Sequence, residues 1–284
     1  MRNDIIQNNS NSYLKYFYEP KPENDIKSLP DWLGYEVRNT INKDGLNERI
    51  NYSLEKDANT FRIITLGDSY TFGHNVDTEK NYSEALEVIL NNRLVCDQYT
   101  HFDVINLGVN GYDIEYPVER FISRGLKYNP DLVVWLINEW NFDRINEYMI
   151  PVEENYKSQG VPDFNPSIGG YEAAIKAFAD IRSTYGEKFI LNYQKKPLQR
   201  LSSAFKGKLL LISINKFAPN IQAEIEDFLK LHPDSFSYVL LSKGSLSNDQ
   251  RLLDGHPNEK GHKIIAEALY NYLKNVAFPD CIEN

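Results

Sequence analysis

Apolar residues in this chain gather in short unbroken runs, separated by longer stretches with helical periodicity. Four runs stand out: FRIITL at 61–66, FDVINL at 102–107, DLVVWLI at 131–137 and KLLLISI at 208–214. They are rich in β-branched residues and barely alternate, the pattern of strands covered on both faces in a parallel sheet. A weaker fifth run, SFSYVLLS at 235–242, follows the same rule. Between the runs, 81–94, 115–128 and 220–232 read as helices, and 258–276 places Ile264, Ile265, Ala268, Leu269 and Leu273 on one face. Strands alternating with helices predict βαβ crossovers and a doubly wound α/β sheet. Two segments fit that core poorly. Residues 1–60 are Asn-rich and read as an N-terminal extension packed on a main domain at 61–284. Residues 142–205 form a long insert after the third strand run, a candidate lid or specificity region.

Ligands of such sheets gather at the carboxyl ends of the strands. The segments to interrogate are therefore GDSYTFG, GVNGYD, NEWNFDR and, before the last helix, LLDGHPNEKGH. A serine hydroxyl is a poor nucleophile at neutral pH unless a base takes its proton and donors hold the developing oxyanion. Ser69, directly after a strand run, would expose its Oγ on the first turn of a helix; the alternative is that Asp68 or Ser69 only caps that helix. The α/β-hydrolase elbow G-x-S-x-G fails here, and neither glycine loop matches a phosphate-binding pattern. Asp254 lies two residues before His256, and a carboxylate beside an imidazole can hold it in one tautomer and strengthen it as a base. His262 falls inside the final helix and reads as structural; a metal site from Asp254, His256, Glu259 and His262 has no standard spacing and is not expected. Gly108 and Gly111 offer backbone N–H groups without a Cβ in the way, and Asn138 and Asn141 offer amides to an oxyanion.

Composition narrows the class. The 284 residues carry a net charge of −9 and are 42% hydrophobic, ample for one sizeable core. The acidic balance argues against a nucleic-acid partner, which needs clustered Lys and Arg. Two cysteines, Cys96 and Cys281, stand far apart without a patterned His; two thiols in a reducing compartment is the favoured reading, one long-range disulfide the alternative. The N-terminus has no apolar leader core and no run is long enough to span a membrane, so a soluble, cytoplasmic protein is expected, or a secreted or periplasmic one had a leader been removed. Nothing bears on the oligomeric state.

Taken together and in order, these loops resemble the SGNH (GDSL) hydrolase superfamily, in particular its bacterial esterase-like members. Gly67-Asp68-Ser69 matches its first block, Asn106 through Gly111 its second, and Asp254-Gly255-His256-Pro257-Asn258 its last, together bracketing most of the chain. The third block usually reads Gly-x-Asn-Asp and is replaced here by NEWNFDR. The resemblance implies a three-layer α/β/α fold with a five-stranded parallel sheet, and hydrolysis of an O-acyl ester, such as an O-acetyl ester of a carbohydrate or small metabolite, through an acyl-serine. It implies Ser69 as nucleophile, His256 as general base and Asp254 as its partner. The oxyanion hole would be the Ser69 and Gly111 N–H groups with the Asn141 amide, Asn138 being the alternative. No metal or organic cofactor is implied. An acyltransferase using the same acyl-serine, or a silent binding protein on the same fold, are the competing readings.

Overall fold

The computed structural model describes residues 5–232, 236–241 and 245–283. Five strands, β5 (Thr60–Leu66), β7 (His101–Asn106), β8 (Leu132–Leu136), β9 (Lys208–Ser213) and β10 (Phe236–Leu240), form one parallel sheet in the order β10-β9-β8-β5-β7. Each predicted run is a strand, although Ser235 and Ser242, the ends of the fifth run, lie outside the described residues. The runs barely alternate because both faces are covered. Ile64, Leu66, Trp135 and Leu211 pack against the helices α3 (Glu115–Arg120), α7 (Glu187–Ala204) and α8 (Pro219–Leu231). Ile63, Val104, Val134 and Leu210 pack against α2 (Tyr82–Arg93) and α9 (Glu259–Val276). This is the three-layer α/β/α arrangement. Fully burying one such aliphatic side chain contributes about 1.5–3 kcal/mol, and these two clusters hold the layers together.

The helix ends are written into the local sequence. Asn81 accepts from the Ser83 and Glu84 N–H groups at 3.0 Å to start α2, and Asn258 accepts from Gly261 N at 3.1 Å to start α9. In α9, Ile265, Ala268, Leu269 and Leu273 are buried as their spacing predicts, with Ile264 at the edge of the face. The stretch 115–128 begins as α3, widens into a π turn at Phe121–Gly125 and closes in a 3-10 turn at Leu126–Tyr128.

The 142–205 segment is not one appendage. Its last helix, α7, buries Leu198 and Leu201 on the sheet, so it serves as the crossover between β8 and β9. The remainder packs α5 (Asn146–Ser158) against α6 (Glu172–Tyr185) around Met149, Ala177 and Ile181. In the N-terminal 60 residues the chain makes two antiparallel pairs, β1 (Ile6–Asn8) with β2 (Tyr18–Pro20) and β3 (Asn24–Ser28) with β4 (Val37–Ile41). This region grips the first strand-end loop: Asn47 Nδ2 donates to Phe72 O at 2.7 Å and Asn39 Nδ2 to Val76 O at 2.8 Å.

The two cysteines correct an expectation. Cys96 and Cys281 are joined in a disulfide across 185 residues rather than standing as thiols. It ties the C-terminal strand β11 (Ile282–Glu283) to β6 (Leu94–Val95), which pair antiparallel. Disulfides belong to oxidising compartments in most proteins, so cysteine usage gives no ground for a reducing one. Among the described residues no helix is long and apolar enough to cross a membrane.

Candidate active site

The sheet reverses its strand order on either side of β5, where β7 and β8 flank it. Such a switch point opens a crevice at the carboxyl ends of the strands. Three of the four interrogated loops leave β5, β7 and β8 there. Ser69 opens the short helix α1 (Ser69–Phe72); Asp68 caps it, its Oδ1 accepting from Tyr70 N at 2.9 Å, and Gly73 closes it at φ 87°. Capping and presentation of the serine are thus one device. Gly67 is needed as glycine: its φ is +152°, and a Cβ there would meet Thr71 Oγ1 at 2.2 Å.

The second loop locks onto the first. Asn106 Nδ2 donates to Thr71 O at 2.7 Å and Val109 N to Gly67 O at 3.3 Å. Gly108 lies against the α1 backbone, where a Cβ would stand 2.4 Å from Phe72 N, and its N–H is taken by Asn106 Oδ1 at 2.9 Å. Gly111, at φ +79°, is the other glycine of the loop. Among the described residues neither Ser69 N nor Gly111 N donates to a backbone acceptor outside the regular elements.

The third loop supplies both asparagines through a reciprocal cap on α4 (Glu139–Asp143). Asn138 Oδ1 accepts from Asn141 N, and Asn141 Oδ1 accepts from Asn138 N at 2.8 Å. Both amides then turn to Asp68: Asn138 Nδ2 reaches its Oδ2 at 2.8 Å and Asn141 Nδ2 at 3.0 Å. Asn141 Nδ2 spends its other hydrogen on Tyr112 O at 3.1 Å, and the residue is buried. Asn138 is half-buried and keeps one amide hydrogen in hand.

The acid–base loop comes from the other end of the chain. His256 Nε2 lies 2.7 Å from Ser69 Oγ. Asp254 Oδ2 stands 3.0 Å from His256 Nδ1, at an angle that falls short of a hydrogen bond, while Oδ1 accepts from His256 N at 3.1 Å. The Asp-Gly-His turn is held at Gly255, φ +84°, whose carbonyl accepts from Arg251 Nη1 at 2.9 Å and Tyr70 OH at 3.1 Å. Burial pushes the Asp254 carboxyl up, but contact with His256 and the charge of His74 outweigh it, and the group is held below the ordinary carboxylate range. His262, by contrast, is buried in α9, its Nδ1 accepting from Tyr82 N at 3.2 Å; burial pushes its pKa down to about 3, so it stays neutral and structural.

Three further residues gather around Asp254, of which His74 and Asn75 were not singled out from sequence. Tyr171 OH donates to Asp254 Oδ2 at 3.1 Å and lies 2.8 Å from His74 Nε2, and Asn75 Nδ2 donates to the same Oδ2 at 3.3 Å. His74 closes the GDSYTFGH run, so a signal existed at five residues from Ser69. Tyr171 is one of the aromatics of the 142–205 segment, whose loop also brings Gly169 against Leu253 O and sets Phe164 against Trp32, the rings tilted by 34° with centroids 4.9 Å apart. Of the segment's other aromatics, Tyr148, Tyr156, Phe178 and Tyr193 pack within it. His74, Asp254 and His256 bring three donor atoms within 4.8 Å, so a cation held there would compete with the serine–histidine chemistry.

No protein-family model and no curated protein matches the sequence. Among solved structures the chain is similar to the psychrotrophic esterase EstA from Pseudoalteromonas sp., at 14% identity over 76% of this chain and 97% of that one, with a TM-score of 0.47. It is similar to a lipase/acylhydrolase from Enterococcus faecalis, at 14% identity over 76% and 96%, TM-score 0.44. A Clostridium thermocellum family 3 carbohydrate esterase is similar at 16% identity over 76% and 96%, TM-score 0.42.

Proposed function

We propose that the protein is a serine ester hydrolase of the SGNH type, acting on an O-acyl ester of a carbohydrate or small metabolite. The observation that carries this reading is the 2.7 Å contact between His256 Nε2 and Ser69 Oγ, with the Asp254 carboxylate behind the imidazole. His256 takes the Ser69 proton as Oγ attacks the ester carbonyl, then returns it to the departing alcohol, leaving an acyl-serine. Water, activated by the same imidazole, attacks the acyl-serine and releases the acid. Asp254, ionised through the range where His256 works, holds the imidazole and balances its charge. Reaction with a fluorophosphonate followed by mass mapping is the direct test. A single adduct on Ser69 is expected; no adduct, or one elsewhere, overturns the reading.

The oxyanion donors in this reading are Ser69 N, Gly111 N and the Asn138 amide. Asn138 is preferred to Asn141 because both Asn141 amide hydrogens are already committed, to Asp68 and to Tyr112 O. Asn138→Ala is then expected to lower kcat by about 10²–10³ alongside a modest fall in Tm from loss of the α4 cap, whereas Asn141→Ala shows first as lost stability. Retention of kcat within about tenfold in Asn138→Ala removes that residue from the hole. The part of the 142–205 segment that precedes the crossover helix α7 acts as the specificity region of a domain at 61–284, and Tyr171 reaches from it to the acid–base pair.

A further inference from the structure

Arg144 ends α4, on the same rim of the sheet as Gly111 and Asn138. Its Nη2 lies 4.0 Å from the point a Gly111 Cβ would occupy, a point 2.9 Å from Tyr18 OH. Among the described residues its guanidinium donates no hydrogen bond and forms no ion pair, and its Nε is sealed from solvent without an acceptor. The carboxylate that feels it through space, Asp113, is buried and already served by the N–H groups of Glu115 and Tyr116 at 3.0 Å and Asn146 at 2.8 Å.

The chain treats its other enclosed arginines differently. Arg62 is paired with Asp103 at 2.8 Å, and Arg120 with Glu19. In a chain of net charge −9, carboxylates are not scarce. A guanidinium stripped of solvent along one edge and given no counter-ion loses hydration without recovering it. An anion reaching the Nη end, which is the accessible part of the half-buried side chain, would restore the balance with charge-assisted, bidentate hydrogen bonds.

We propose that Arg144 is a specificity-determining residue that binds a carboxylate carried by the ester substrate beside the scissile group. This rests on the ester-hydrolase reading of the same site, in which Gly111 N faces the oxyanion. The carboxylate can sit on either side of the ester: on the alcohol, as in an O-acylated sugar acid, or on the acyl chain, as in a half-ester of a dicarboxylic acid.

Two matched pairs of esters separate these cases. 3-Acetoxybenzoate against phenyl acetate reads the alcohol side, and monophenyl adipate against phenyl hexanoate reads the acyl side. The quantity measured is the ratio of kcat/KM, charged over neutral, so a general loss of activity cancels. For one pair the ratio is expected to be about tenfold or more in the wild type. It should fall about tenfold in Arg144→Gln and less in Arg144→Lys. No charged preference in either pair, or the same ratio in Arg144→Gln, overturns the proposal. A wild type inert to all four esters sinks the hydrolase reading instead. The anion site is then read by calorimetry with the unreactive amide 3-acetamidobenzoate: binding weakened about tenfold in Arg144→Gln supports it, and no binding, or equal binding, overturns it.

Discussion

Ser69→Ala is expected to lower kcat/KM on an aryl acetate by about 10⁴–10⁶ while leaving Tm nearly unchanged. The size follows from the role proposed for the hydroxyl: without it no acyl-enzyme would form, and only binding and the oxyanion donors would remain to help water attack. His256→Ala should cost about as much, and the double variant little more than either single one, because nucleophile and base act as a unit. Asp254→Ala is expected to be milder, about 10⁴, since it removes the partner of the imidazole and not the base. Substituting Asp254 also frees Tyr171, Asn75 and the backbone N–H of His256 from a shared acceptor, so part of its loss will appear as displacement of the loop. Ser69→Ala turning over within tenfold of the wild type would end the assignment of Ser69 as nucleophile.

What could be read from the sequence, and what could not, divides by the range of the contacts. The five strands declare themselves because a strand covered on both faces needs nothing but apolar residues in a row, and 61–66 and 131–137 supply them. The caps Asp68, Asn81 and Asn258 are equally local, each side chain reaching only two or three residues ahead. Ser69, Asp254 and His256 stand out because strand ends in this architecture converge on one edge of the sheet. The choice between Asn138 and Asn141 did not, because residues three apart at a helix start carry the same chemistry. The saturation of Asn141 by Asp68 and Tyr112 is the contact on which the proposed preference for Asn138 rests. Tyr171 meets His74 across 97 residues and Asp254 across 83, contacts no periodicity encodes. The N-terminal hairpins escaped for the opposite reason: with strands as short as 3 residues, half of them polar, they leave no pattern to see.

Reducing the Cys96–Cys281 disulfide is expected to be the costliest single change to stability. The bond closes a loop of 185 residues, and the chain-entropy relation puts the order lost from the unfolded state at about 5 kcal/mol. Measured values for such bonds run from about 2 to 5 kcal/mol. A C-terminal tail that merely frayed would return less, because the rest of the molecule would keep its contacts. This tail is anchored: Phe278 is buried against Phe61 and Phe102, with ring centroids 4.9 and 5.2 Å away. It also continues α9, the helix that starts three residues after His256, so loosening the tail loosens the element that seats the acid–base loop. A double Cys96→Ser, Cys281→Ser variant should therefore unfold about 5–15 °C below the oxidised protein. The wild type in reductant should match it, and the variant itself should not respond to reductant. Esterase activity at 25 °C should persist in the variant and fail earlier on heating. Identical melting with and without reductant would show that the bond does not restrain the chain.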